Sequence, residues 1–115
     1  MIPSWLWWVV FAIALAGMAW VRFAGKTSAI DAHAIVAGGG RLVDVRSPGE
    51  FAGGHLGGAV NIPLDELGRR VVEIGPPETA VVVYCLSGAR SARAASLLRA
   101  QGFTHVSDLG AMSRW

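Results

Sequence analysis

The residue of this sequence best suited to covalent chemistry is its single cysteine, Cys85, which stands directly before a short loop ending at Arg90. The loop contains Gly88 and leads into a segment with helical spacing from Ser91, so several backbone N–H groups can meet the positive end of a helix dipole. Such a cradle would stabilise the Cys85 thiolate and an oxyanion of the substrate, and Arg90 would add a permanent charge. The pattern predicts attack by a sulfur anion on a soft electrophile bonded to an oxyanion group.

The competing interpretation of Cys85 is an inert buried side chain, which is the commoner role of a lone cysteine at the end of an apolar strand. A single cysteine excludes an internal disulfide, and the sequence has no C-x2-C pair for zinc or redox chemistry. The histidines and acids do not cluster, His33 and His105 are expected at the surface, and we predict neither a metal nor a cofactor. Position alone therefore leaves the role of Cys85 open.

The elements that must position this loop alternate between strands and helices. Short apolar or β-branched runs predict the strands, and capping residues followed by helical spacing predict the helices. The run that ends at Cys85 is continuously apolar, which is typical of a parallel sheet covered on both faces. The alternation predicts an α/β fold with right-handed crossovers. The predicted strands are 42–45, 59–62, 80–85 and 104–106, and the predicted helices begin at Ser28, Ser47, Leu64 and Ser91.

The N-terminal segment predicts a different environment, because no charged residue occurs from Ile2 to Val21. About 20 helical residues span about 30 Å, the thickness of a hydrocarbon core, and tryptophans stand near both ends, where indole rings prefer the water interface. A cleaved signal peptide is the alternative, favoured by the small-x-small pattern at 14–16, but no basic residue precedes the run and the run continues past that point. A buried core helix is a third interpretation. We therefore expect an uncleaved transmembrane helix at 1–24, a linker at 25–27 and a folded domain at 28–115.

The charge distribution supports this division. From Thr27 onward eight basic residues balance all eight acids, and the net charge of +2 comes from Arg22 and Lys26, directly after the apolar segment. The basic balance therefore reflects membrane flanking, and we exclude nucleic acid as a partner. The positive-inside rule predicts a single-pass membrane protein with its domain on the cytoplasmic side.

Several segments together resemble the rhodanese homology domain, and they occur in the order and spacing of that family over residues 28–115. The resemblance implies a parallel five-stranded sheet flanked by helices, with the cysteine loop as the active site. Cys85 would take the outer sulfur of thiosulfate or a similar sulfane donor as a persulfide and pass it to a thiol or cyanide. The matching segments are 42–46, 50–51, 54–56, 58–63 and 85–91.

The resemblance also assigns the residues around the cysteine. The loop from Cys85 to Arg90 would hold the persulfide sulfur on its backbone amides. The family positions outside the loop mainly brace it and are structural rather than chemical. The expected binding residues are Leu86, Ser87, Gly88, Ala89 and Arg90, and the expected bracing residues are Asp44, Arg46, Glu50 and His55.

Two further functions remain open beside sulfur transfer by an enzyme. A phosphatase of the Cys-loop-Arg kind would need a C-x5-R loop, whereas Cys85 to Arg90 is C-x4-R, a smaller ring suited to one sulfur atom. A membrane-tethered rhodanese module could instead carry sulfur or bind a partner without turnover of a small molecule, and the sequence identifies no such protein partner. Leu86 occupies a position where many thiosulfate-using relatives carry a basic residue, which puts thiosulfate in doubt as the preferred donor.

Overall fold

The computed structural model describes residues 2–23 and 25–115, and the side chains of residues 16–23 lie outside that description. Five α-helices and four β-strands occur within these ranges, with two short 3-10 turns after α4 and β4. The bounds are α1 Ser4–Phe23, α2 Ala29–Ala37, β1 Arg41–Asp44, α3 Pro48–Ala52, β2 Val60–Asn61, α4 Leu64–Arg70, β3 Val81–Cys85, α5 Ala89–Ala100 and β4 Val106–Ala111.

The four strands form one parallel sheet in the order β2-β1-β3-β4, which confirms the predicted α/β class. Alternate residues of β3 point to opposite faces, and both faces are covered. Val81, Val83 and Cys85 pack with α4 and α5, whereas Val82 and Tyr84 pack with α2. Coverage on both faces explains why the sequence of β3 is continuously apolar rather than alternating.

The five-stranded sheet implied by the resemblance is wrong for the part of the chain that the structure describes. At the free edge of β4 the chain makes a single parallel bridge, between Lys26 and Asp108. Gly25 has a φ of 80°, and Ser28 already caps α2, so no extended run long enough for a fifth strand exists between α1 and α2.

The predicted transmembrane helix is not supported. Within residues 2–23 and 25–115, as far as they are described, no helix combines the length and the apolarity that a membrane span requires. Part of the predicted segment, residues 16–24, lies outside the described side chains. The membrane location and the cytoplasmic side of the domain stay predictions.

The helices α2 and α3 begin at the predicted capping residues. The Ser28 hydroxyl accepts a hydrogen bond from the Asp31 N–H at 3.2 Å and begins α2. Ser47 and Glu50 form a complete capping box around Pro48, so α3 begins where the sequence predicts. Three residues separate the end of β1 from the start of α3, and Glu50 lies near the carboxyl ends of the strands, within reach of Arg90.

Candidate active site

Cys85 lies at the carboxyl end of β3, the strand between β1 and β4, and its side chain is fully buried. The chain then turns through Leu86 to Gly88, whose φ is 101°, a left-handed conformation that favours glycine. The next helix, α5, begins at Ala89, two residues earlier than the sequence predicts. The loop is therefore short, and the first turn of α5 lies next to the sulfur.

The Cys85 sulfur is surrounded by hydrogen-bond donors. Burial alone would raise the pKa of the thiol, but the N–H and hydroxyl groups of Ser91 and the N–H groups of Gly88 and Ser87 outweigh it, so the pKa of Cys85 lies below its ordinary value. The Gly88 N–H donates to Sγ at 2.9 Å. The Ser91 hydroxyl has one proton, and it donates that proton to the Gly88 carbonyl at 3.1 Å. The amide donors therefore carry most of the stabilisation of a thiolate or persulfide.

Arg90, expected to bind the substrate, is paired with a carboxylate of α3. Its guanidinium binds the Glu50 carboxylate through two bonds, Nη1 to Oε1 at 2.6 Å and Nη2 to Oε2 at 3.0 Å. Glu50 in turn accepts from the backbone N–H and hydroxyl of Ser47. The pair ties the first turn of α5 to α3, so Arg90 supplies charge near the loop while one N–H of each terminal nitrogen is bound by Glu50.

The bracing expected of Asp44 and Arg46 matches their contacts. Arg46 donates to both carboxylate oxygens of Asp44, with Nη2 to Oδ2 at 2.7 Å, and the same Nη2 reaches the Gly54 carbonyl at 2.7 Å. Both residues are buried. The exposed His55 ring lies with Nδ1 2.9 Å from the Phe51 carbonyl oxygen and stacks on the Phe51 ring. These groups hold the chain between β1 and β2 and do not touch the sulfur.

Two residues near the loop were missed by the sequence interpretation. Lys26, expected in a linker, lies with its Nζ 2.5 Å from Oδ2 of Asp108 and 3.2 Å from the Gly88 carbonyl oxygen. The Asp108 side chain is 7% exposed. A lone lysine before the domain and an aspartate in a strand carry no recognisable motif, and only the fold brings them to the loop.

A cavity of about 570 Å³ adjoins the outer side of the loop. Its lining includes Ser87, Gly88 and Ala89 of the loop and the cationic residues Lys26 and Arg114. Cys85 is not in this lining, whereas Leu86 is 57% exposed beside it in the chain. Among the side chains that the structure describes, those of residues 2–15 and 25–115, no three His, Cys, Asp or Glu are grouped so that they could hold a metal ion.

Comparison with known proteins shows which proteins this chain resembles. The sequence profile of the rhodanese-like domain matches residues 28–115. The uncharacterized protein YqhL of Bacillus subtilis is 46% identical over 76 residues, which are 65% of this chain and 60% of that protein. Thiosulfate sulfurtransferase PspE of Escherichia coli is 38% identical over 71 residues, 61% of this chain and 68% of that enzyme.

The fold has close counterparts among solved structures. The human single-domain sulfurtransferase TSTD1 superposes with a TM-score of 0.68 at 28% identity, covering 80% of this chain and 92% of the human one. The chain thus spans less than two thirds of the Bacillus relative but nearly the whole of the human structure.

Proposed function

The chain belongs to the rhodanese-like domain family, and from that premise we propose that it is a sulfurtransferase that moves a sulfane sulfur from thiosulfate or a similar donor to a thiol or cyanide. The observation that carries the proposal is the Cys85 sulfur at the end of β3, buried among amide donors that lower its pKa. Such surroundings favour an ionised sulfur, first as the thiolate and then as the persulfide.

The reaction follows from the nucleophile and its cradle. The Cys85 thiolate attacks the outer sulfur of the donor, a new S–S bond forms on Cys85, and the bond within thiosulfate breaks so that sulfite leaves with its electron pair. The acceptor thiolate then attacks the outer persulfide sulfur and regenerates the Cys85 thiolate. Both steps conserve charge and need no external oxidant or reductant. Because Cys85 is fully buried, the loop must open enough to admit one sulfur atom.

The test uses the fact that Cys85 is the only thiol in the chain. The full chain is incubated with thiosulfate, the mass of the intact protein is measured, and released sulfite is assayed. We expect one added sulfur on the wild type and none on Cys85→Ser, with sulfite release lost together with it. Absence of an added sulfur from every sulfane donor tried, or full activity in Cys85→Ser, would refute the proposal.

Which sulfur donor the protein prefers is a separate part of the proposal, and a substitution at Leu86 tests it. A basic side chain there would attract a dianion such as thiosulfate. We predict that Leu86→Lys raises kcat/KM for thiosulfate about two- to fivefold, the range expected from one exposed charge, and that the gain shrinks at high salt. An uncharged organic polysulfide serves as the control donor and should be used equally well by both proteins. Equal gains with both donors would contradict a charge effect.

A second candidate acceptor is a protein thiol, so that the chain would act as a sulfur carrier. The specific observation that favours it is the exposed, apolar Leu86 in the loop, which offers a small anionic substrate no charge or hydrogen bond but can pack against the surface of a protein acceptor. Transfer from persulfidated protein to small thiols and to cyanide separates the two. Rapid turnover with either small acceptor would exclude a dedicated carrier.

A further inference from the structure

Lys26 lies outside the family match, which begins at residue 28, yet its side chain reaches the loop that holds the Cys85 sulfur. Its Nζ is 3.2 Å from the Gly88 carbonyl oxygen, and the side chain is only 13% exposed. The backbone beside it is fixed too, because the Thr27 N–H donates to the Asp108 carbonyl at 2.7 Å. The lysine is therefore anchored to β4 and directed at Gly88.

The Gly88 carbonyl oxygen accepts three hydrogen bonds. Besides Lys26, the Ser91 hydroxyl donates to it at 3.1 Å and the Ala92 N–H at 3.2 Å. The N–H of the same glycine donates to the Cys85 sulfur at 2.9 Å. The N–H and the carbonyl of Gly88 belong to successive peptide units that are joined through the φ and ψ angles of this residue, and these angles vary more freely in glycine than in other residues. Three donors on the carbonyl oxygen restrict those angles, and with them the position of the N–H that binds the sulfur.

Asp108 keeps the lysine ammonium in place at this buried position. The carboxylate binds Nζ through Oδ2 at 2.5 Å, while Oδ1 is buried and has no hydrogen-bond partner among the described residues. Removal of either partner of a buried ion pair leaves the other charge without its counter-charge, which is strongly destabilising. The other cations near the loop have different partners, since Arg90 binds Glu50 and Arg114 binds the Leu109 and Thr27 carbonyls.

We propose that Lys26 is a positioning residue of the sulfur-transfer site, held by Asp108, that fixes the orientation of Gly88 and thereby of the amide donated to the Cys85 sulfur. The role rests on the proposed function, but it concerns the reactivity of the thiol itself. Lys26 is hydrogen-bonded to the Gly88 carbonyl and not to the sulfur, so the role proposed for it acts through Gly88. The segment before the matched domain is thus part of the site rather than a spacer.

The experiment measures the pH dependence of Cys85 alkylation by iodoacetamide in the full chain, which has no other thiol. Because Lys26→Met alone would leave Asp108 buried and unpaired, the principal variant is K26M/D108N, which removes both charges. We expect this variant to unfold cooperatively, with its alkylation midpoint raised by about one pH unit and its thiolate fraction lowered about tenfold at pH values below the midpoint. Lys26→Arg keeps a charged donor and should recover most of the reactivity.

A matched control and a mutation-free measurement make the outcome decisive. Arg69→Met removes a 69% exposed cation from α4 and should leave the alkylation midpoint unchanged. Lys26 is the only lysine, and reductive dimethylation keeps its charge but leaves one N–H, too few to serve both Asp108 and Gly88. The midpoint should rise in that protein as well. A folded K26M/D108N variant, or a dimethylated wild type, with the midpoint of the unmodified protein would overturn the proposal, whether or not the chain transfers sulfur.

Discussion

At the scale of single residues, Gly88 combines a left-handed backbone conformation with two hydrogen bonds at the cysteine loop. Its φ of 101° lies in the left-handed region, its N–H donates to the Cys85 sulfur, and its carbonyl oxygen accepts a hydrogen bond from the Lys26 ammonium. A Cβ at this position would meet no atom closer than 3.7 Å. The need for glycine is therefore conformational and not a matter of space.

Because the need for glycine is conformational, Gly88→Ala should strain the backbone without causing a steric clash. The left-handed conformation costs a non-glycine residue about 1–2 kcal/mol, and relief of that strain would turn the N–H away from the sulfur. We expect the free energy of unfolding, measured with urea, to fall by about that amount, and the alkylation rate of Cys85 near neutral pH to fall with it.

The control for this substitution is Gly68→Ala in α4. Gly68 is exposed and has no positive φ, and a Cβ added there would meet only the Leu97 side chain, at 3.9 Å. Alanine should therefore stabilise the helix by up to about 1 kcal/mol. In Gly68→Ala, Cys85 should be alkylated at the wild-type rate. An unchanged stability in Gly88→Ala would show that the loop adopts another conformation in solution.

The sequence predicts the cysteine loop well but not the ion pairs around it. Cys85, Gly88 and a following helix are contiguous, so their geometry depends on local rules for strand ends and helix starts. The partners of Arg90 and Lys26 are 40 and 62 or more residues away in the chain. No local pattern indicates that Arg90 is occupied by Glu50, and only the sheet topology brings Lys26 to Gly88.

At the scale of elements, the position of the sulfur depends on how α5 packs on β3. Leu98, Ala94 and Ala95 of α5 are buried in the same apolar cluster as Val83 and Cys85. The small alanines allow the helix close to the strand, and Leu98 fills the space toward the end of the helix. Movement of α5 would shift its first turn, which lies behind the sulfur.

Leu98→Ala tests this packing. Leu98 is fully buried, and removing a buried leucine side chain costs about 2–5 kcal/mol. We expect that loss in the free energy of unfolding by urea denaturation, whereas Ile30→Ala in α2, where the side chain is 83% exposed, should stay within about 0.5 kcal/mol of wild type. A cost below about 1 kcal/mol for Leu98→Ala would mean that α5 collapses into the space or packs less tightly than described.

The last strand shows where element prediction from sequence fails. The apolar run predicts a strand at 104–106, but β4 extends from Val106 to Ala111. Ser107, Asp108 and Gly110 are poor strand formers, and the register against β3 shifts between Val83 and Tyr84 so that Leu109 is passed over. Pairing with the central strand overrides the local preference, and it places the Asp108 side chain beside Lys26.

At the scale of the whole molecule, the sheet separates two apolar clusters, and ion pairs connect elements around its edge. One cluster lies under α4 and α5, and the other lies under α2 together with Met112 and Trp115. The Trp115 ring stacks on His33, with ring centroids 3.6 Å apart. The Glu50–Arg90 pair joins α3 to α5 near the end of β3. Protonation of Glu50 at low pH would therefore lower the stability of the domain.

The pH dependence of that stability follows from Glu50. The Arg90 guanidinium and the Ser47 N–H lower the pKa of Glu50 from 4.5 to about 2. A carboxyl whose pKa is lower in the folded state stabilises the fold fully above its unfolded pKa, and this contribution is lost as the pH falls from 4.5 through 2. We therefore predict that Glu50→Gln is less stable than wild type at pH 7 and that the difference in the free energy of unfolding, measured with urea at each pH, shrinks steadily between about pH 5 and pH 2.

Glu78→Gln is the control, because Glu78 is exposed and makes no ion pair among the described residues. A difference between Glu50→Gln and wild type that stays constant over this range would show that the pair does not persist in solution, and the tie between α3 and the first turn of α5 would then have to come from packing alone.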